Sequence, residues 1–79
     1  MNVQLVYDQI ADFIAAMNPT KTLELHVPQA ASERLESLIT KEKETVLTTD
    51  EKDELDHYLI LERLIRLAKV HARLRLANL

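Results

Sequence analysis

No glycine occurs in the 79 residues of this chain. Without glycine, no residue takes a positive φ at little cost, so two-residue hairpins, glycine helix caps and phosphate-cradling loops are out of reach. The accessible architecture is helices joined by ordinary polar turns. Pro19 and Pro28, the only prolines, mark places where helices must stop or start.

So short a chain holds one domain, here taken as residues 1–79, and is marginal alone, because it buries only about 60% of the surface its unfolded form exposes. Cysteine is absent, which removes disulfides and thiolate metal sites and makes a cytoplasmic location the expectation. Small chains without such staples commonly draw further burial from a partner chain. Only Tyr7, Phe13 and Tyr58 are aromatic, so the packing is aliphatic. No basic stretch leads into a long apolar run at the start, so neither a signal peptide nor a membrane anchor is expected.

The net charge of −3 is unevenly spread: residues 1–23 carry −1, residues 24–56 carry −6, and residues 57–79 carry +4. That polarity suits self-association, with the acidic middle of one copy facing the basic end of another.

Val3, Val6, Tyr7, Ile10, Phe13, Ile14 and Met17 recur at spacings of three and four, which predicts an amphipathic helix over about 3–17. Asn2 is a suitable N-cap, and Asn18-Pro19 ends the helix. Its polar face is acidic, where membrane-surface helices favour Lys and Arg, so the apolar stripe is expected to face a core. Thr22 to Val27 then alternates polar and apolar with Leu23, Leu25 and Val27 on one side, an extended segment over 22–27 that could pair across a dimer. A second helix is expected over 28–43, opened by Pro28, with Ala31, Leu35, Leu38 and Ile39 as a narrow seam. The connector Glu44 to Leu47 is short enough to make it an antiparallel hairpin with the last helix.

That last helix is expected over 49–76, opened by a capping box of Thr48 and Glu51. Asp50, Glu51, Asp53 and Glu54 load its start and Arg73 and Arg75 its end, both favourable to the helix dipole. Apolar residues cover about half its circumference, and Leu59, Val70 and Leu74 then appear among the charges on the other side. One face takes the earlier helices, and the other asks for a second copy of the chain. A helix of roughly 30 residues spans about 45 Å, so its end, about 68–79, is expected to project and to present Val70, Leu74, Leu76 and Leu79 to a partner.

The chemistry-bearing residues are sparse. Asp53 and His57 share a helical face at metal-binding spacing, but His71 lies about 21 Å further along the axis and cannot complete the site. A solvated helix face accounts for the same residues. Ser32 and Ser37 have no histidine at a useful spacing, so no nucleophile motif forms and no enzyme is expected. Neither a metal nor a cofactor is implied. Arg63, Arg66, Lys69, Arg73 and Arg75 could follow a phosphate backbone, yet the acidic overall charge and scarce aromatics favour a protein partner.

Leu23-Glu24-Leu25-His26-Val27-Pro28 running into Ala31-Ser32-Glu33-Arg34-Leu35-Glu36-Ser37-Leu38 resembles the strand-into-helix opening of ribbon-helix-helix antitoxins. Glu24 and His26 would stand at its base-contacting positions, where their character fits a dimer element better than a DNA reader. Leu47-Thr48-Thr49-Asp50-Glu51-Lys52-Asp53-Glu54-Leu55, followed by Glu62-Arg63-Leu64 and Ala72-Arg73, is similar to a widespread family of small helical bacterial proteins, common in cyanobacteria. That resemblance implies an antitoxin-like or accessory role beside a small nuclease toxin, and carries over no catalytic residue.

Together these readings predict an all-α homodimer that works as a small protein-binding module. Arg63, Arg66, Leu67, Lys69, Val70, Arg73, Leu74 and Leu76 form the expected partner surface, and Leu59, Leu23, Leu25 and Val27 the expected dimer contacts. A nucleic-acid-binding regulator using the same arginines is the alternative, and a metal-dependent enzyme a distant third.

Overall fold

A computed structural model describes residues 2–78, so Leu79, expected in the partner surface, lies outside the described residues. Four helices succeed one another: α1 (Val3–Met17), α2 (Pro19–Thr22), α3 (Gln29–Glu44) and α4 (Thr49–Ala77). The all-α class is therefore as expected, with one helix more than the expected three. Among the described residues there is no strand, and no helix is long and apolar enough to cross a membrane. The chain forms two compact units, Met1–His26 with Arg63–Leu79, and Val27–Glu62.

The second unit is a helical hairpin. Leu35 and Leu38 of α3 are buried with Leu55 of α4, and Ile39, Leu47 and Tyr58 pack around them. As α3 advances from Arg34 to Lys41, its partners on α4 step back from Glu54 to Glu51, so the two helices run antiparallel. Arg34 grips Glu54 with two parallel bonds of 2.9 Å, a bidentate geometry that sets register as well as attraction. The α4 start is closed by the capping box: the Thr48 N–H donates to Glu51 at 2.9 Å, and the Glu51 N–H donates to the Thr48 hydroxyl at 3.1 Å.

In the first unit, the Asn2 side chain accepts from the Gln4 N–H at 2.9 Å and starts α1. Pro19 forces Asn18 into an extended conformation (φ −162, ψ 92), which stops α1. Asn18 then caps α2, accepting from the Lys21 N–H at 3.0 Å. The buried Thr22 hydroxyl bonds the Asn18 carbonyl at 2.8 Å and reaches the Ile14 carbonyl at 3.4 Å, and so covers a group that a helix end leaves without a partner.

This turn takes the place of the first half, residues 22–24, of the extended segment expected over 22–27, and no strand forms in the rest. Thr22 closes α2, and the N–H groups of Glu24 and Leu25 bond the carbonyls of Lys21 and Thr22. Backbone groups satisfied locally have no need of a strand partner; the polar–apolar alternation is a coincidence of a helix end and a turn.

The larger correction concerns α1. Much of its apolar stripe, expected to face a core, is turned outward: Val3 is 61% exposed, Ile10 46%, and Phe13 and Met17 68% each, while Val6, Tyr7 and Ile14 are half-buried. The buried edge is Ala11 and Ala15, both at 0%, and on α4 it is Ala68 and Ala72. Each pair is spaced i, i+4, and small side chains at a contact let two helix axes come close. Asp8 pairs with His71 and Asp12 with Arg75, so α1 and this half of α4 run parallel, and each carries a buried alanine edge.

Candidate functional site

The residues singled out along α4 separate by height and by side. At 100° per residue, Arg63, Arg66, Val70, Arg73 and Leu74 share one arc of the helix, whereas Lys69 and Leu76 lie on the flank beside Ala72. Val70 is 42% and Leu74 55% exposed, and Arg66 and Arg73 are exposed with them. Leu67, Lys69 and Leu76 are half-buried. Arg63 is also half-buried, with its guanidinium 5.5 Å from the centre of the Tyr7 ring, a cation–π distance. The end of α4 is thus not bare: one edge is occupied by α1, and the opposite edge carries Val70, Arg73 and Leu74 outward.

The expected dimer residues fall in both units. Leu23 and Leu25 belong to the first unit, half-buried and exposed respectively. In the second unit Val27 is half-buried and Leu59 exposed.

A polar network absent from the expectations joins α1 to α4. His71 Nε2 lies 2.6 Å from Asp8 Oδ1, and its Nδ1 lies 3.3 Å from Asp12 Oδ1. Arg75 donates to both oxygens of Asp12, at 3.2 and 3.0 Å, and this holds the Asp12 carboxyl below the ordinary carboxylate range. A carboxylate–imidazole pair can serve as a general base. Here the pair ties the two helices. The signal was present in the sequence: Asp8 and Asp12 share the i, i+4 spacing of His71 and Arg75, with opposite sign.

In the second unit, the Lys41 ammonium at 2.6 Å and then the Thr48 N–H hold the Glu51 carboxyl down at about 2. Arg34 likewise lowers Glu54, and Glu54 raises Arg34. His57, considered for a metal with Asp53, places Nδ1 2.9 Å from the Asp53 carbonyl and 3.6 Å from its carboxylate. Among the described residues no three ligating side chains converge on a common point.

Two open hollows lie in the first unit. One of about 350 Å³ is lined by Asn2, Gln4, Leu5, Asp8, Arg63 and Leu67. The other, of about 210 Å³ and mostly apolar, lies at the end of α1 between Ile14, Met17, Lys21, Thr22 and Leu25.

Comparison with protein-family models, with curated proteins and with solved structures finds no match to this chain.

Proposed function

We propose that this protein is a small homodimeric protein-binding module of the cytoplasm, antitoxin-like or accessory in role, whose partner surface is the outward edge of α4. The observation that carries the reading is the pairing of exposed Val70 and Leu74 with Arg73 on a helix whose opposite edge carries the buried Ala68 and Ala72. Apolar anchors rimmed by cations suit an acidic amphipathic partner: the anchors supply affinity and the cations steer the encounter. A small nuclease toxin is the partner class we favour. Arg63 and Arg75 of this stretch are engaged with Tyr7 and Asp12, which weakens the case for a phosphate-tracking stripe.

The test is affinity capture from the source cell with the wild-type chain and with a Val70→Glu/Leu74→Glu variant. One polypeptide held by the wild type and lost from the variant is the expected result. Equal capture by both overturns the reading. So does tight duplex-DNA binding with a steep salt dependence that disappears in Arg66→Glu/Arg73→Glu, which would establish the nucleic-acid alternative.

A further inference from the structure

We infer that Asp8, Asp12, His71 and Arg75 form a latch worked by one proton: α1 is held to α4 while the His71 ring is charged, and its hold loosens when the ring is neutral. The latch lies within the first unit and is independent of the outward edge of α4.

The ring sits between two carboxylates. Nε2 is 2.6 Å from Asp8 Oδ1, as short as a charge-assisted bond, and Nδ1 is 3.3 Å from Asp12 Oδ1, an ion-pair distance. A neutral imidazole carries one N–H and turns a lone pair toward whatever faces its other nitrogen. Here a carboxylate stands at either end, so only the imidazolium presents an N–H to both. The charge count agrees. Arg75 also binds Asp12, and with His71 charged the four side chains carry two positive and two negative charges. Loss of the proton leaves one carboxylate uncompensated. The His71 side chain is only 19% exposed, and charges partly withdrawn from water are less screened than those on the surface.

The charges around the ring come from three helices. Asp8 and Asp12 are the charged residues of α1. On α4, Arg75 stands one turn beyond His71, and Arg63, two turns before it, lies over Tyr7. Lys21 of α2 lines the hollow beside Met17, at the far end of α1 from Asp8. Histidine ordinarily changes charge within about pH 5 to 8. Carboxyl groups ordinarily titrate below that range, and Arg75 holds Asp12 lower still. Seating of α1 therefore depends on the charge of His71 there: it is favoured at the acid side of the range and weakens as pH rises through it. Glu51, in the second unit, has the opposite sign, because its contribution is lost as pH falls. The two units thus answer pH in opposite directions.

Urea denaturation at the two sides of the histidine range, about pH 5.5 and about pH 8, tests this on the full chain and on His71→Gln and Asp8→Asn variants. The methyl carbon NMR signals of Ala11 and Ala15, both fully buried, follow the seating of α1 in each sample. Differences between chains cancel the second unit and its His57, and also His26, wherever all three chains share them. The expected result is a wild-type midpoint above that of His71→Gln on the acid side, with the gap at least halved on the alkaline side. The alanine signals should move with pH in the wild type and stay in place in the variants. Asp8→Asn alters an exposed side chain and balances the remaining charges without a proton, so it should flatten the response in the same way, and it carries the test if His71→Gln does not fold. An equal pH response in the chains that fold overturns the latch. So does a wild-type response, relative to the variants, that strengthens as pH rises.

Discussion

Arg75 clasps both carboxylate oxygens of Asp12 across 63 positions of sequence, at 3.2 and 3.0 Å. With His71 between Asp8 and Asp12, this clasp fixes which edge of α1 meets α4. A double-mutant cycle of Asp12→Ala and Arg75→Ala should give a favourable coupling that shrinks with added salt, since both groups are in contact with solvent. Additive effects in urea melts would show that the clasp contributes nothing to register.

The alanine edge has no room to spare. Ala11→Leu or Ala72→Leu should each cost about 1–3 kcal/mol through overpacking, read as a lower denaturation midpoint with an unchanged slope. A wild-type midpoint in either variant would mean the alanines are not in close contact.

Thr48→Ala removes one half of the capping box and should destabilise the chain by about 1 kcal/mol. Thr48→Ser keeps the acceptor and should recover most of the loss, as measured by thermal melting.

Glu51 makes stability depend on acid. Its folded-state carboxyl is held at about 2, below the ordinary 4.5, so the unfolded chain binds the proton more readily. Its contribution is fully present above pH 4.5 and disappears as pH falls toward 2. Asp12 and Glu54, lowered by their arginines, act in the same direction. Glu51→Gln should be less stable than wild type at neutral pH, and the difference should close across that acid window. A constant difference at all pH values would contradict the assignment.

Thr22→Val deletes a buried hydroxyl that two carbonyls share. A net loss of about 1 kcal/mol is expected, with faster amide exchange confined to the end of α1 and to α2.

Wherever the determinants are local, the sequence was sufficient. Asn2, the Thr48–Glu51 box, the Pro19 stop and the Leu35, Leu38, Leu55 cluster need only neighbours or a short hairpin, and each lies in the structure where the residue pattern puts it. Pattern alone failed on α1, because hydrophobicity ranks its faces in one order and its partner ranks them in the other. The stripe with Phe13 and Met17 is the more apolar, yet α4 offers alanines flanked by His71 and Arg75, and only the Ala11–Ala15 edge with its two aspartates complements them. That choice depends on residues more than 60 positions away. The short α2 was missed for a smaller reason: one proline, one asparagine cap and one buried threonine make a helical turn inside what alternation renders as a strand.

The parallel packing of α1 on the second half of α4 also orders events in time. Val27–Glu62 is a continuous stretch, and its hairpin can close as soon as that stretch has left the ribosome. α1 is synthesised before α4 but cannot make its Asp12 pair until Arg75 has emerged, and closing so distant a contact is slow. Of these two helices, the one made earlier is therefore secured later.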